Sequence, residues 1–284
     1  MDPRVCAVGA LAMKEISDSI ARVPVQRWEA DSLENGFDVV AEEVPVALEY
    51  NGISHTVMLA SPKDLEDFAL GYSLTEGIAD SICDVTECDI AATEQGIRVS
   101  MQIAGRCFAR LKAMRRSMTG RTGCGLCGVE NLRQVRRNLD PVRSIEPMDV
   151  ASFQIALNHL GAFQSLHTMT GATHAAGWIL ANGDIVCARE DVGRHNALDK
   201  LIGALACEGR NFATGAVLMT SRASYEIVQK AASVGIGIIA AISAPTALAV
   251  RLAEALNVTL IGFLRPNRHV CYANGERIRT GARV

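Results

Sequence analysis

Residues 215–243, GAVLMTSRASYEIVQKAASVGIGIIAAIS, alternate between apolar strand-like runs and a helical pattern. A short apolar strand at 216–220 runs through Ser221 into a helical pattern, and a second apolar strand follows at 237–242. The same order continues with a third strand at 258–263. Short apolar strands that alternate with helices are typical of a parallel sheet covered by helices on both faces. The second half of the chain is therefore predicted to have an α/β fold.

The carboxyl ends of these strands form the predicted ligand-binding edge of the sheet. Ser221 and Ser243 follow the first two strands, and residues 263–268 follow the third. Ligands of open α/β sheets bind beyond the carboxyl ends of the strands, and the backbone N–H groups of helix starts favour phosphate. We expect both serines to cap the helices that follow them. Capping alone is the simpler interpretation of each serine.

The first half of the chain is predicted to be rich in strands. Residues 44–50 and 53–59 flank Asn51-Gly52, a dipeptide that favours a two-residue hairpin turn. A helix is predicted next, with Ser61 as its cap and Pro62 at its first position. The apolar face of that helix comprises Leu65, Phe68, Ala69 and Tyr72. Further elements are predicted as strands at 84–90 and 97–103, a second hairpin at 177–188 and a helix at 193–207.

Three portions are expected along the chain. Residues 1–21 are expected to be poorly ordered. Residues 22–145 are expected to form a β-rich portion that ends in a cysteine loop, and residues 146–284 the α/β portion. The turn-rich segment 139–147 would link these two portions. A single continuous domain is the alternative.

Composition argues against several classes of protein. The net charge of −3 argues against a general nucleic-acid-binding protein. The apolar run at 234–244 is shorter than the ~20 residues that cross a bilayer, so no membrane association is expected. The nine cysteines are scattered apart from one tight pair, which argues against a secreted disulfide framework. We therefore expect a cytoplasmic protein with reduced thiols.

The tight cysteine pair lies in RTGCGLCG, residues 121–128. The spacing of Cys124 and Cys127 occurs in zinc sites, in dithiol redox centres and in persulfide carriers. A structural zinc site needs four ligands, commonly two such pairs. In a zinc deaminase, His174 would be the histidine of a His-x-Glu motif. The glutamate of that motif is the general acid/base, but Ala176 stands at its position here. A thioredoxin-like pair would follow a strand near the start of a βαβ unit, which is not the context here.

Sulfur transfer fits this pair better than zinc binding or disulfide exchange. The flanking glycines permit a mobile loop. A helix predicted from about Val129 to Asn138 would direct its positive end at the thiols, and Arg121 adds charge. Both effects lower a thiol pKa and raise the thiolate fraction. The simpler interpretation is that the two cysteines are inert small apolar residues.

Several ordered strings resemble one family. They are RTGCGLCGVE, REDVGRHNALDK, TSRASYEIVQKA, GFLRPNR and AEEVPVALEYNGISHTVMLASPKDLEDFALGYSLTEG. Together they resemble the FdhD family of formate dehydrogenase accessory sulfurtransferases, over about residues 22–280. The resemblance implies a cytidine deaminase-like α/β core with an N-terminal β-rich portion. It would explain the deaminase-like position of His174 without zinc.

The resemblance also implies an activity and partners. Members take sulfur from a cysteine desulfurase and pass it to the molybdenum cofactor that bears two molybdopterin guanine dinucleotides, Mo-bis(molybdopterin guanine dinucleotide). The sulfurated cofactor then goes to the formate dehydrogenase catalytic subunit. Cys124 matches the persulfide-forming cysteine and Cys127 the second thiol. The matching cofactor-binding stretch is Phe263, Leu264, Arg265, Pro266, Asn267 and Arg268. A homodimer is implied as well, and no zinc is expected.

Other residues have a functional and a structural interpretation. Arg265 and Arg268 suit forked contacts with phosphate or guanine, or are ordinary surface arginines. His195 could touch the cofactor or the incoming sulfur, or could hold strand to helix. Further candidates are His174, Asp191, Ser221 and Arg222. The alternatives to a sulfurtransferase are a cofactor-binding chaperone without sulfur transfer and a zinc-dependent deaminase relative.

Overall fold

The computed structural model describes residues 18–116, 139–143 and 145–280. The cysteine loop at 121–128 and the helix predicted at 129–138 lie outside the described residues. Residues 1–17 also lie outside them. The first described strand begins at Ile20, within the segment that was expected to be poorly ordered.

Among its described residues, the first half contains six strands and two α-helices. In chain order they are β1 (Ile20–Glu29), β2 (Ser32–Ala41), β3 (Val44–Tyr50), β4 (Ile53–Ala60), α1 (Leu65–Thr75), β5 (Val85–Thr93), β6 (Gly96–Ile103) and α2 (Gly105–Arg116). Strands β1 and β2 form a separate hairpin, and the other four form a sheet in the order β4-β3-β6-β5. The predicted hairpin and the predicted strands at 84–90 and 97–103 are confirmed.

The second half contains eight strands and five helices among its described residues. They are β7 (Met148–Asp149), α3 (Val150–His159), α4 (Ser165–Thr170), β8 (His174–Leu180), β9 (Ile185–Asp191), α5 (Arg194–Cys207), β10 (Gly215–Met219), α6 (Tyr225–Ser233), β11 (Ile238–Ala241), α7 (Ala247–Ala255), β12 (Thr259–Arg265), β13 (Arg268–Ala273) and β14 (Ile278–Arg279). The second hairpin and the helix predicted at 193–207 are confirmed.

A six-stranded sheet organises this half, in the order β13-β12-β11-β10-β8-β9. Strands β10, β11 and β12 run parallel, as their apolar sequences predict, whereas β8 and β13 run antiparallel to their neighbours β10 and β12. Val217 and Ile239 pack with α5, α6 and α7 on one face. Leu218 and Ala240 pack with α3 on the other face. The α/β fold is therefore confirmed, with helices on both faces of the sheet.

Two helices join the halves at a close contact. A Cβ atom built on Gly71 of α1 would lie 1.7 Å from the carbonyl oxygen of Asp199 in α5. One built on Gly203 of α5 would lie 2.0 Å from the carbonyl oxygen of Asp67. Only glycine allows this approach of backbone to backbone. The contact fixes α5, whose first residues lie at the candidate site, against the first half.

Three predicted helix starts are wrong. Helix α1 begins at Leu65 after Asp64, whereas Ser61 donates its backbone N–H to Asp191 Oδ2 at 3.0 Å. Its predicted apolar face is nevertheless directed inward, with Phe68 and Ala69 fully buried. Helices α6 and α7 begin after Ser224 and Thr246, three residues beyond the serines expected to cap them.

The predicted loop at 263–268 is part of a hairpin, whereas the described part of the predicted link has no helix or strand. Strand β12 continues to Arg265 and turns through Pro266 and Asn267 into β13, so residues 263–268 form a hairpin tip. The described part of the predicted link at 139–147 packs on the second half, since the Val142 N–H donates to the Leu256 carbonyl at 2.9 Å. Among the described residues, no helix is long and apolar enough to cross a membrane.

Candidate functional site

The carboxyl ends of β10, β11 and β12 meet at one edge of the sheet. The Ile242 N–H donates to the Met219 carbonyl at 2.9 Å, and the Phe263 N–H donates to the Ser243 carbonyl at 3.1 Å. The loops after β10 and β11 also form a parallel bridge between Ala223 and Pro245. The three strand ends therefore share one continuous surface, as the sequence predicts.

The antiparallel strand β8 brings His174 to the same edge. The Thr220 N–H donates to the Ala175 carbonyl at 3.0 Å, and the Thr220 hydroxyl accepts from the Ala175 N–H at 2.8 Å. Partial burial lowers the pKa of His174, and the nearby positive charge of Arg194 lowers it further. A neutral imidazole at neutral pH is the consequence, beside a positively charged surface.

His195 connects the start of α5 to the start of α6. Its Nε2 lies 2.6 Å from Glu226 Oε2 and 3.3 Å from the Ser224 hydroxyl. The hydrogen bond from His195 lowers the pKa of Glu226 despite its partial burial. An ionised Glu226 thus orients the ring of His195. Glu226 was not singled out from the sequence, although its position two residues after a helix cap offered a signal.

Asp191 belongs to the framework of the site. Its carboxylate is fully buried, and Oδ2 lies 2.7 Å from Lys200 Nζ. Oδ1 accepts from the Gly193 N–H at 2.7 Å and from Asn196 Nδ2 at 3.0 Å. These contacts, with that from Ser61, use the acceptor positions of the carboxylate. Asp191 therefore fixes the turn before α5, and its contribution to any ligand site is to position that turn.

Ser221 and Arg222 differ in their exposure. Ser221 is buried, and its hydroxyl donates to the Arg222 carbonyl at 3.1 Å. The Arg222 side chain is exposed. Of the two, only Arg222 presents a charged group to an incoming ligand.

The hairpin tip at 263–268 presents two arginines side by side. Arg265 and Arg268 are cross-strand neighbours, and Arg265 donates to the Leu264 carbonyl at 2.9 Å and to the Ile242 carbonyl. Phe263 is exposed with a φ of 50°, whereas Leu264 is fully buried. The tip is thus anchored by Leu264 and by β11, with its polar and aromatic groups at the surface.

Five of the six described cysteines are poorly suited to act as thiolates. Cys124 and Cys127 lie outside the described residues. Burial raises the pKa of Cys88 to about 11. Burial also raises the pKa of Cys107, Cys187, Cys207 and Cys271. A thiol with a raised pKa is protonated at neutral pH and is a weak nucleophile.

One cluster of potential metal ligands occurs among the described residues, and arginines pair with its carboxylates. Asp80, Asp84 and Cys107 have their ligand atoms within 4.8 Å of one another. Arg110 lies 2.9 Å from Asp80, and Arg106 pairs with Asp84. These guanidinium groups supply the positive charge that a metal ion would otherwise bring.

A cavity of about 750 Å³ lies at the opposite, amino edge of the sheet. Its described lining is drawn from residues 139–143, 210–213 and 232–235 and contains no cysteine or histidine. The titratable and cationic groups of the strand ends lie elsewhere. We therefore place the candidate site at the carboxyl edge.

Comparison with known proteins agrees with the sequence strings. The model of the FdhD/NarQ family matches residues 41–279. The chain is 57% identical over 255 residues to the sulfur carrier protein FdhD of Cupriavidus necator, covering 90% of this chain and 88% of that protein. It is 54% identical over 242 residues to the protein of the same name from Bordetella petrii, covering 85% and 87% of the two chains.

A solved structure supports the fold. It is the crystal structure of a candidate formate dehydrogenase accessory protein from Desulfotalea psychrophila. The two share a TM-score of 0.71 at 24% identity, and the similarity covers 92% of this chain and 99% of that chain. Because the family model covers most of the chain and the relatives exceed half identity, this chain belongs to the FdhD/NarQ family.

Proposed function

We propose that this protein is a sulfurtransferase that carries sulfur as a persulfide on Cys124. It receives the sulfur from a cysteine desulfurase in the cytoplasm. It passes the sulfur to Mo-bis(molybdopterin guanine dinucleotide), its bound substrate, for use by formate dehydrogenase. The observation that carries the proposal is the glycine-flanked pair Cys124 and Cys127, in a chain whose relatives are named sulfur carrier proteins.

The loading step is a thiol exchange. The Cys124 thiolate attacks the outer sulfur of the donor's persulfide, a new sulfur–sulfur bond forms, and the donor cysteine leaves as a thiolate. No net oxidation occurs in this step. The raised pKa values of five of the six described cysteines support the assignment to the glycine-rich loop, because those thiols compete poorly for the same sulfur. The sixth, the exposed Cys83, is tested by substitution.

The carboxyl edge suits an anionic substrate. The cofactor carries phosphates and two guanines, and the edge presents Arg222, Arg265 and Arg268. Guanidinium forks match both phosphate oxygens and guanine O6 and N7. Arg268→Ala is expected to weaken the binding of guanosine diphosphate in calorimetry. Unchanged affinity in a folded variant would remove the hairpin tip from the site.

Two roles are open to Cys127. As an assisting thiol, it resolves or holds the persulfide on Cys124, and Cys127→Ala is then milder than Cys124→Ala. As a relay, its thiolate attacks the outer sulfur of that persulfide and Cys124 leaves as a thiolate, so that the sulfur passes between the two thiols. Cys127→Ala is then as severe as Cys124→Ala.

Mass spectrometry after incubation with a cysteine desulfurase and cysteine tests the proposal. The protein is expected to gain one sulfur on Cys124 and to lose it on strong reduction. Cys124→Ala abolishes both the gain and the support of formate dehydrogenase. Cys83→Ala is the matched control, since Cys83 is exposed and described, and it leaves both unchanged.

Two outcomes would overturn the assignment. Sulfur found only on Cys127 would reverse the roles of the two thiols. Sulfur on neither, with formate dehydrogenase still activated by the double variant, would favour a cofactor-binding chaperone. The homodimer is a separate proposal, for which light scattering is expected to give twice the chain mass.

A further inference from the structure

Two arginines at the carboxyl edge have no anionic partner within the described part of the chain. Arg194 is the first residue of α5, and Arg222 lies in the loop between β10 and α6. Neither guanidinium forms a hydrogen bond or an ion pair among these residues, and Arg194 Nε is a buried donor without an acceptor. A buried donor without a partner is costly, and an external acceptor would satisfy it.

A third arginine close in sequence shows the contrast. Arg189, at the end of β9, donates to Asp67 at 2.8 Å and lies 3.7 Å from Asp64. It is therefore neutralised within the protein. Five residues further along the chain, Arg194 has no such partner.

The fold brings Arg194 and Arg222 to the same place. His195, next to Arg194, contacts Ser224, which lies two residues after Arg222. Both arginines also act electrostatically on His174. The strand β8, the start of α5 and the loop after β10 therefore converge on one positively charged surface.

The carboxylates of this region are already engaged. Glu226 attracts Arg194, but its Oε2 is bound by His195 at 2.6 Å. Asp191 is fully buried and pairs with Lys200. Glu190 is buried and accepts the backbone N–H groups of Leu166 and His167, both at 2.8 Å. None of these carboxylates forms an ion pair with Arg194 or Arg222, so both guanidinium groups remain able to bind an external anion.

We propose that Arg194 and Arg222 form a subsite for a diphosphate group. Paired guanidinium forks are the donors best matched to adjacent phosphate oxygens. The starts of α5 and α6, both helices of at least nine residues, add favourable backbone dipoles. The subsite rests on the proposed function in one respect, namely that the diphosphate belongs to the nucleotide part of the substrate.

The position of this subsite divides the edge between two groups of arginines. Strand β12 lies two strands away from β10 in the sheet. At the usual strand spacing, the hairpin tip is roughly 10 Å from the loop that holds Arg222. One nucleotide can therefore place its diphosphate on Arg194 and Arg222 and its base towards Arg265 and Arg268.

Calorimetry with inorganic pyrophosphate tests the subsite in the full-length protein. Arg194→Gln and Arg222→Gln are each expected to weaken pyrophosphate binding roughly tenfold, the usual effect of losing one charged hydrogen-bond donor. Arg194→Lys keeps the positive charge but loses the forked geometry. Its pyrophosphate affinity is expected to lie between those of Arg194→Gln and the unmodified protein. Arg143→Gln is the control, since Arg143 is exposed and lies by the cavity at the opposite edge.

Guanosine diphosphate separates this subsite from the hairpin tip. Arg194→Gln is expected to lower its affinity by the same factor as for pyrophosphate, whereas Arg268→Ala lowers only the affinity for guanosine diphosphate. The proposal is wrong if pyrophosphate binds folded Arg194→Gln and Arg222→Gln as it binds the unmodified protein, or if the unmodified protein does not bind it.

Sulfur loading of Cys124 is measured in parallel to keep the two proposals apart. Arginine-dependent pyrophosphate binding without sulfur loading would support the subsite and contradict the sulfurtransferase. Sulfur loading with arginine-independent pyrophosphate binding would contradict the subsite alone.

Discussion

Helix α5 carries two clusters of charge that differ in their pairing. In its middle, Asp199 and Lys200 are buried and paired, Asp199 with Lys230 at 2.9 Å and Lys200 with Asp191 at 2.7 Å. At its start, Arg194 has no ion-pair partner among the described residues. A buried charge is tolerated only when it is paired and hydrogen-bonded. The paired charges therefore build the framework, and the unpaired charge is available for a ligand.

The paired cluster joins the two halves of the protein. Lys230 of α6 donates to Asp199 of α5 and to Glu76 and Thr75 at the end of α1. Burial opposes the positive charge of Lys230, but the carboxylates of Asp199 and Glu76 raise its pKa above the ordinary value. The ammonium group therefore stays charged and holds three helices together.

The largest expected effect comes from breaking the most buried pair. Lys200→Met leaves the Asp191 carboxylate without its counter-charge, where both side chains are fully buried. Removal of one partner of a buried pair costs about 3–5 kcal/mol. Urea unfolding is expected to show this loss, with partial recovery in Lys200→Met/Asp191→Asn. A loss below about 1 kcal/mol, the range of exposed pairs, would contradict a framework role.

A smaller loss is expected at the junction of the three helices. Lys230→Met removes the cation from Asp199, but Glu76 is partly exposed and can turn to water. We expect a loss of about 2–3 kcal/mol, below the upper range for buried pairs. A double-mutant cycle with Asp199→Leu measures the coupling of the two residues. Additive effects within about 0.5 kcal/mol would show that the pair is not coupled.

Many strands of the fold could be predicted from the sequence, but several helix starts could not. Strands β3–β6 and β8–β12 were predicted from short apolar runs between glycine, proline or polar residues, whereas β1, β2, β7, β13 and β14 were not predicted. The helix starts after Ser221 and Ser243 were misplaced because the loops first form a bridge. The bridge joins Ala223 and Pro245, each of which lies two positions after its serine. The second hydroxyl residues, Ser224 and Thr246, stand three positions later in both loops, and that repeated spacing was the available signal.

The candidate site was predictable only in part. Strand-end residues such as Arg222 and the tip at 263–268 follow from the order of strands and helices. Arg194 lies in one of the strings that resemble the family, but the sequence did not single it out. What distinguishes Arg194 is that it has no ion-pair partner among the described residues. Whether a charge is paired depends on residues distant in sequence, as Asp67 is for Arg189. Periodicity and spacing carry no such information.

A still smaller effect on stability is expected at Glu226, which contacts His195 and attracts the unpaired Arg194. Its pKa is held below the ordinary value of 4.5 by the hydrogen bond from His195. A lowered carboxyl pKa stabilises the fold above the unfolded-state pKa, and that stability is lost as pH falls through the folded-state pKa. Glu226→Gln is therefore expected to lower the free energy of unfolding by about 1 kcal/mol at pH 7. On acidification below pH 4.5, the variant is expected to lose less stability than the unmodified protein.

Urea unfolding at neutral and acid pH measures this difference. Glu254→Gln on α7 is the control, since Glu254 is exposed, and it is expected to leave the pH profile unchanged. If Glu226→Gln keeps the full acid sensitivity of the unmodified protein, the His195–Glu226 pair does not contribute to it.

The smallest expected effect concerns the unpaired end of the helix. Arg194→Gln is expected to change the free energy of unfolding by less than about 0.5 kcal/mol, because no ion pair among the described residues is broken. It should nevertheless be visible at His174, whose pKa is lowered by burial and then by Arg194. Removal of that charge raises the pKa of His174 towards its ordinary value without reaching it, since burial remains. A titration of the His174 ring signals by NMR measures this rise, with Arg143→Gln as the control. A large loss of stability in Arg194→Gln would place Arg194 with the paired charges of the framework. An unchanged pKa of His174 would separate Arg194 from the edge at which we place the diphosphate.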